Sequence, residues 1–202
     1  MFLAASMITF AYLMGSITSA ILVCRIMGLS DPREGGSGNP GATNVMRLHG
    51  KQAAILTLAG DVLKGFIPII AAIILKHPDW VIAASGLAAF AGHVFPVFFG
   101  FKGGKGVATL IGVLIATYWL LGLAFVLSWL IVAFIFGYSS LAALVAAALS
   151  PIFAWFFLES LPYIYSTIVM VLILIWRHQS NIRNLLNGNE SKIGKDKAKD
   201  PA

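Results

Sequence analysis

"VATLIGVLIATYWLLGLAFVLSWLIVAFIFGYSSLAALVAAALSPIFAWFFL", residues 107–158, contains no charged side chain. About 20 consecutive apolar residues cross the hydrocarbon core of a bilayer as a helix, and this stretch holds more than two such lengths. A soluble core is excluded. The chain has 202 residues, 59% of them hydrophobic and 11% charged, and a soluble domain of that size cannot hide so much apolar surface. Strands are excluded too, because a sheet in lipid must close into a barrel whose strands alternate polar and apolar residues. The fold class is therefore all-α, a polytopic integral membrane protein.

Outward from that stretch, the rest of the chain falls into the same pattern. Met1 to Cys24 is uncharged. It lacks both a basic start and a small-residue cleavage site ahead of a polar mature domain, so it reads as a retained helix rather than a signal peptide. Two further spans fit over residues 53–75 and 80–99, separated by "KHPDW". Between Gly106 and Arg177, breaks near Thr117, Gly137 and Leu161-Pro162 favour four spans. That segment is roughly 105 Å long as helix, too long for two crossings and short for four.

Basic residues gather in three places: Arg25, Arg33, Arg47 and Lys51; Lys102 and Lys105; and Arg177, Arg183, Lys192, Lys195, Lys197 and Lys199. Cytoplasmic loops carry such excesses, so all three groups are expected on the cytoplasmic side. The expected layout is about seven transmembrane helices, N-terminus outside and C-terminus cytoplasmic, with five spans as the alternative. Residues 1–190 form a single transmembrane domain, and the charged tail, residues 191–202, is expected to be disordered. The lone Cys24 rules out an internal disulfide. The net charge of +6 suits topology and anionic lipid rather than nucleic acid. No Cys/His set has metal-ligand spacing, so neither metal nor cofactor is expected.

Three polar islands interrupt the apolar chain. "GGSGNPGATN", residues 35–44, is followed by Arg47. Its glycines, hydroxyls and free amides suit an anion-binding nest, and an arginine fork suits phosphate. "GFKGGKGVAT", residues 100–109, fails the nucleotide-binding P-loop pattern: Gly100 stands one position too close to Gly104-Lys105, and Gly106 follows where Ser or Thr is required. The physical idea survives, with glycines exposing amides and Lys105 supplying charge to a phosphate. "RHQSNIRNLLNGNE", residues 177–190, puts His178 and Asn181 at a spacing that shares one helix face. Asp61 and Lys64, in "GDVLKG", are two charges inside an apolar helix, each costing about 3 kcal/mol at the bilayer centre. They either neutralise each other at spacing three or line a water-filled pocket beneath the first loop. His93 lies in another apolar helix with no obvious partner.

In this order, "GSGNPGATN" with Arg47, "GHVFPVFFGFKGGKGVAT" and "RHQSNIRNLLNGNE" resemble the signature motifs of the bacterial acyl-phosphate:glycerol-3-phosphate acyltransferases, membrane enzymes of phospholipid synthesis. The resemblance runs to about Glu190. It implies a seven-helix fold in the bacterial inner membrane with the active site at the cytoplasmic face. It implies transfer of an acyl group from acyl phosphate to the sn-1 hydroxyl of glycerol 3-phosphate, giving lysophosphatidic acid and phosphate, without coenzyme A or a cofactor. The implied partners are those two substrates, membrane lipid, and functional coupling to an enzyme that makes the acyl phosphate.

Position by position, the resemblance implies catalytic roles for Ser37, Asn39, Arg47, His178 and Asn181. It implies substrate binding by Gly38, Gly41, Thr43 and Asn44, by the Gly103, Gly104, Lys105 and Gly106 loop, and by Ser140, Lys64 and His93. Asp61 and Glu190 are structural in the same reading. The general base is left between His178 and the donor phosphate. A small transporter for an anionic metabolite is the alternative function.

Overall fold

The uncharged stretch divides into α6 (Val107–Thr117), α7 (Trp119–Phe136) and α8 (Ser139–Phe157), with α9 (Leu161–Arg177) following just after it, in a computed structural model that describes residues 1–194. Each break has a local cause. Tyr118 is extended at φ −159°, Gly137 takes the left-handed conformation at φ 77°, and Pro162 sits in the first turn of α9, where a missing N–H does no harm. Ahead of this stretch come α1 (Phe2–Gly15), α2 (Ser19–Ile26), a short α3 (Ala42–His49), α4 (Lys51–Ile74) and α5 (Asp79–Val94), the last running into a 3-10 turn at Val97–Phe99. After α9 comes α10 (Gln179–Leu186), and no strand forms among the described residues.

Helices α4, α7 and α8, and α5 with its 3-10 turn, are long and apolar enough to cross a membrane. Two further pairs are bent, α1 with α2 by 47° and α9 with α10 by 59°. The last apolar layer ends at Arg177, because α10 carries Gln179, Ser180, Asn181, Arg183 and Asn184. Helix α6 is the odd one. Its 11 residues make about 16 Å, against roughly 30 Å of hydrocarbon. Gly103 and Gly104 are buried and donate their N–H groups to the carbonyls of Val94 and His93, each at 3.2 Å, so the loop descends along the end of α5.

The first apolar run, expected as one helix to Cys24, breaks at residues 16–18. A broken helix in lipid needs its freed carbonyls satisfied. Lys64 Nζ donates to the carbonyl of Ile17 at 2.9 Å, and Ser16 Oγ donates to that of Tyr12 at 2.9 Å. Small residues let the helices around this break come close. A Cβ on Gly92 of α5 would run into the Tyr12 carbonyl of α1, and one on Gly112 of α6 into the Val62 carbonyl of α4.

The core, built on Phe90, Phe125, Leu110, Leu114, Ile69 and Met170, lies between α4, α5, α6, α7 and α9. Helix α7 turns Leu127, Ile131 and Phe134 outward, as a lipid-facing helix does. Residues 191–194 fold back on the α7–α8 turn, where Ile193 N–H donates to Gly137 O at 2.8 Å. The disorder expected of the tail falls otherwise on residues 195–202, outside the described residues.

Candidate active site

The first island is organised by Asn44. This side chain is 1% exposed. Its Oδ1 accepts the N–H of Ser37 at 2.9 Å, and its Nδ2 donates to the carbonyls of Pro32 at 2.8 Å and Gly35 at 3.2 Å. Both amide hydrogens are thereby used, so Asn44 shapes the loop rather than reaching out of it. Ser37 and Gly38 are left exposed at its tip, and Arg47 projects from α3, which starts directly after Gly41. Arg33 is taken up by Asp31 through a 2.7 Å ion pair, which draws the Asp31 carboxyl below its usual range, chiefly through the guanidinium hydrogen bonds.

The second island is held differently from the expectation. The Gly103 and Gly104 amides already donate to α5, and the carbonyls of the same two residues accept from Arg177, at 2.9 Å from Nη2 to Gly103 and 3.3 Å from Nε to Gly104. These glycines do not offer N–H groups to a phosphate. They are needed for close approach: a Cβ on Gly103 would overlap the His93 carbonyl, and one on Gly104 the His93 ring. Gly106, at φ 90°, leads into α6 against Phe90. Charge for an anion comes from Lys105, whose Nζ donates to Asn181 Oδ1 at 2.6 Å. Burial pulls the Lys105 pKa down, with Glu190 opposing.

The third island bends at His178. Its Nδ1 stands 2.8 Å from the Leu174 carbonyl, an acceptor, so Nδ1 carries the proton and Nε2 holds the lone pair. The ring is 3% exposed, and burial holds its pKa down at about 4, so it is neutral near pH 7. Asn181 Nδ2 donates to Glu190 Oε1 at 2.7 Å, and Ser140 Oγ donates to the same oxygen at 2.6 Å.

The islands meet around a cavity of about 1220 Å³. Of the residues expected at the site, Ser37, Gly38, Asn39, Arg47, Gly103, Lys105, Asn181 and Glu190 line it. Gly41, Thr43, Asn44, Gly104, Gly106, Ser140 and His178 do not line it. Asp61, Lys64 and His93 lie deeper, as a sealed cluster. Lys64 Nζ is 2.9 Å and His93 Nδ1 3.6 Å from Asp61 Oδ1, and all three residues are at most 5% exposed. Mutual neutralisation is thus what the structure has, with Asp61 as the partner His93 lacked, and none of the three lines the cavity. Arg177 and Lys102, read from sequence mainly as topology signals, line the cavity. The adjacency of Arg177 to His178 was the available signal. Arg47 and Lys102 make no ion pair among the described residues, so the cavity carries unmatched positive charge.

An all-helical membrane protein with one cavity lined by unmatched cations defines a class: a membrane protein built to hold phosphorylated small molecules at the end of its helix bundle. The chain belongs to the glycerol-3-phosphate acyltransferase family, whose model matches residues 5–188. A glycerol-3-phosphate acyltransferase of Methylococcus capsulatus is 52% identical over 93% of this chain and 95% of its own. One from Francisella philomiragia is 52% identical over 98% and 96%. Among solved structures, the glycerol 3-phosphate form of PlsY, an integral membrane glycerol 3-phosphate acyltransferase, superposes with a TM-score of 0.90 at 42% identity, covering 95% of this chain and 96% of that one. Its lysophosphatidic acid form gives 0.89 at 41% identity, covering 95% of each.

Proposed function

We propose that this protein transfers an acyl group from an acyl phosphate to the sn-1 hydroxyl of glycerol 3-phosphate, yielding 1-acyl-glycerol 3-phosphate and phosphate. One observation carries the reading: three polar stretches far apart in the chain line a single cavity with Arg47, Lys102, Lys105 and Arg177 around it. Two phosphate groups have to be held together in this reaction, and unmatched cations at the end of an apolar bundle suit both them and a lipid-dissolved chain. Family membership displaces the transporter alternative.

The chain crosses the bacterial inner membrane seven times, with the N-terminus outside and the cavity and tail on the cytoplasmic side. Two facts support this. The islands share one cavity, so the number of crossings between any two of them is even. Between the second and third islands lie α6, α7, α8 and α9, so the short α6 counts as a crossing. The basic residues of all three islands then share one side, as cytoplasmic loops do.

Chemically, the glycerol 3-phosphate oxygen attacks the acyl carbonyl carbon, the bond from that carbon to the phosphate oxygen breaks, and phosphate leaves. The hydroxyl proton passes to the donor's phosphate. That group is bonded to the reacting carbonyl itself, whereas His178 at about 4 is a weak base and does not line the cavity. Arg47 and the Ser37 hydroxyl steady the charge that develops on the donor, while Lys105 holds the acceptor's phosphate. The test is direct. Purified protein given fresh acyl phosphate and labelled glycerol 3-phosphate is expected to form a labelled monoacyl product. Folded protein without product overturns the reading; product from an acyl thioester but not from acyl phosphate overturns the donor assignment.

A further inference from the structure

The carbonyl of Gly137 accepts the Ile193 N–H at 2.8 Å, and the Lys192 ammonium stands 5.5 Å from the ring centroid of Tyr138. Gly137 and Tyr138 form the turn between α7 and α8, two residues before Ser140. The family match ends at residue 188, so the tail side of this docking lies beyond it, and the motif reading assigns no role to Tyr138, Lys192 or Ile193.

What the docking holds is Glu190. Upstream, the chain leaves α10 through exposed residues 187–189, with Gly188 at φ 70°. The N–H groups of Asn189 and Glu190 both donate to the Asn184 carbonyl, at 2.7 and 3.2 Å. From α8 the Ser140 hydroxyl also reaches the Glu190 carboxylate at 2.6 Å, and the docking adds a backbone tie on the C-terminal side of residue 190. Its carboxylate can only accept, so it forces Asn181 to face it with Nδ2. That leaves Asn181 Oδ1 turned to Lys105 Nζ at 2.6 Å. A continuous set of contacts therefore runs from the α7–α8 turn through the tail, Glu190 and Asn181 to the cation at the cavity.

We propose that residues 190–193 are a latch: Lys192 and the Ile193 N–H fasten the chain end to the α7–α8 turn, and this holds Glu190 and Asn181 in the arrangement that aims Lys105 at the phosphate of the polar substrate. Tyr138, Lys192 and Ile193 are positioning residues. The inference rests on the reading that Lys105 binds the glycerol 3-phosphate phosphate. Lys192 and Ile193 are exposed, so changing them leaves the helix packing intact.

Lys192→Ala and Ile193→Pro, which removes the N–H donor, are each expected to raise the KM for glycerol 3-phosphate roughly three- to tenfold with kcat within about twofold. Lys192→Arg keeps a cation for the Tyr138 ring and is expected to return the wild-type KM. Calorimetric titration of glycerol 3-phosphate into the same proteins should show the same weakening in Kd, read without turnover. Unchanged KM and Kd in both variants overturn the latch, and so does a fall in kcat alone. A wild-type protein that binds glycerol 3-phosphate yet makes no product overturns the proposed reaction instead, and the Kd series still decides the latch.

Discussion

The cavity and the Asp61–Lys64–His93 cluster use the same kinds of side chain to opposite ends. In the cluster every charge is matched within the protein: Lys64 meets Asp61 at 2.9 Å and the Ile17 carbonyl at 2.9 Å. At the cavity Arg47 and Lys102 make no ion pair among the described residues, and Lys105 has only the neutral Asn181 amide at hydrogen-bonding distance. Surroundings account for the difference. An unmatched charge among apolar helices is too costly to keep, whereas water at the open end supports cations that wait for an anion. The sealed cluster holds helices together, and the open one holds substrate.

The largest effect is expected from breaking the sealed side. Asp61→Asn leaves the Lys64 ammonium buried without its counter-charge, and removing one member of a buried pair costs about 3–5 kcal/mol. Melting of the purified protein in detergent should fall sharply, and the double change Asp61→Asn with Lys64→Met should recover much of the loss. An unchanged melting temperature for Asp61→Asn would remove the structural assignment. Next comes Arg47→Ala at the open side, expected to lower kcat/KM by about a hundredfold or more while melting stays at the wild-type value. If melting and activity fall together, the contrast between the two sites fails.

Lys105→Ala is expected to raise the KM for glycerol 3-phosphate about tenfold, the worth of a hydrogen bond to a charged group. An unchanged KM removes Lys105 from the phosphate site. The smallest effect is expected at His178→Gln. Glutamine cannot act as a base, and turnover should stay within about tenfold of wild type. With His178 already neutral above about 4, the pH dependence belongs to the donor phosphate. Rate should fall as pH drops far enough to protonate the donor dianion, because the dianion is the base, and this limb should persist in His178→Gln. Loss of the limb in that variant would return the base to histidine.

Much of this was legible from sequence because apolar run length and its interruptions are strong signals. The breaks at Thr117, Gly137 and Leu161-Pro162 follow from local backbone chemistry, and the structure has them. The break at residues 16–18 was not legible, since its cause is a carbonyl partner, Lys64, that lies 47 residues away. For the same reason what Gly103 and Gly104 do is not legible from sequence. Composition says that a backbone can approach something closely, and only packing says that it is α5, with both amides already donated. Asn44 looked like a ligand for substrate and is instead the centre of its own loop. The cavity itself was half legible: the islands announced themselves by polarity, but which side chains face inward depends on the bend at His178.

The bond from Lys64 to the Ile17 carbonyl also bears on how the chain enters its membrane. The first segment emerges from the ribosome with its Ile17 carbonyl freed by the break, and α4 emerges with Lys64 paired to Asp61 but with a further ammonium hydrogen still to donate. Neither is at ease in lipid alone. Together each satisfies the other, so the final seating of the first segment depends on a helix that is made some 47 residues later.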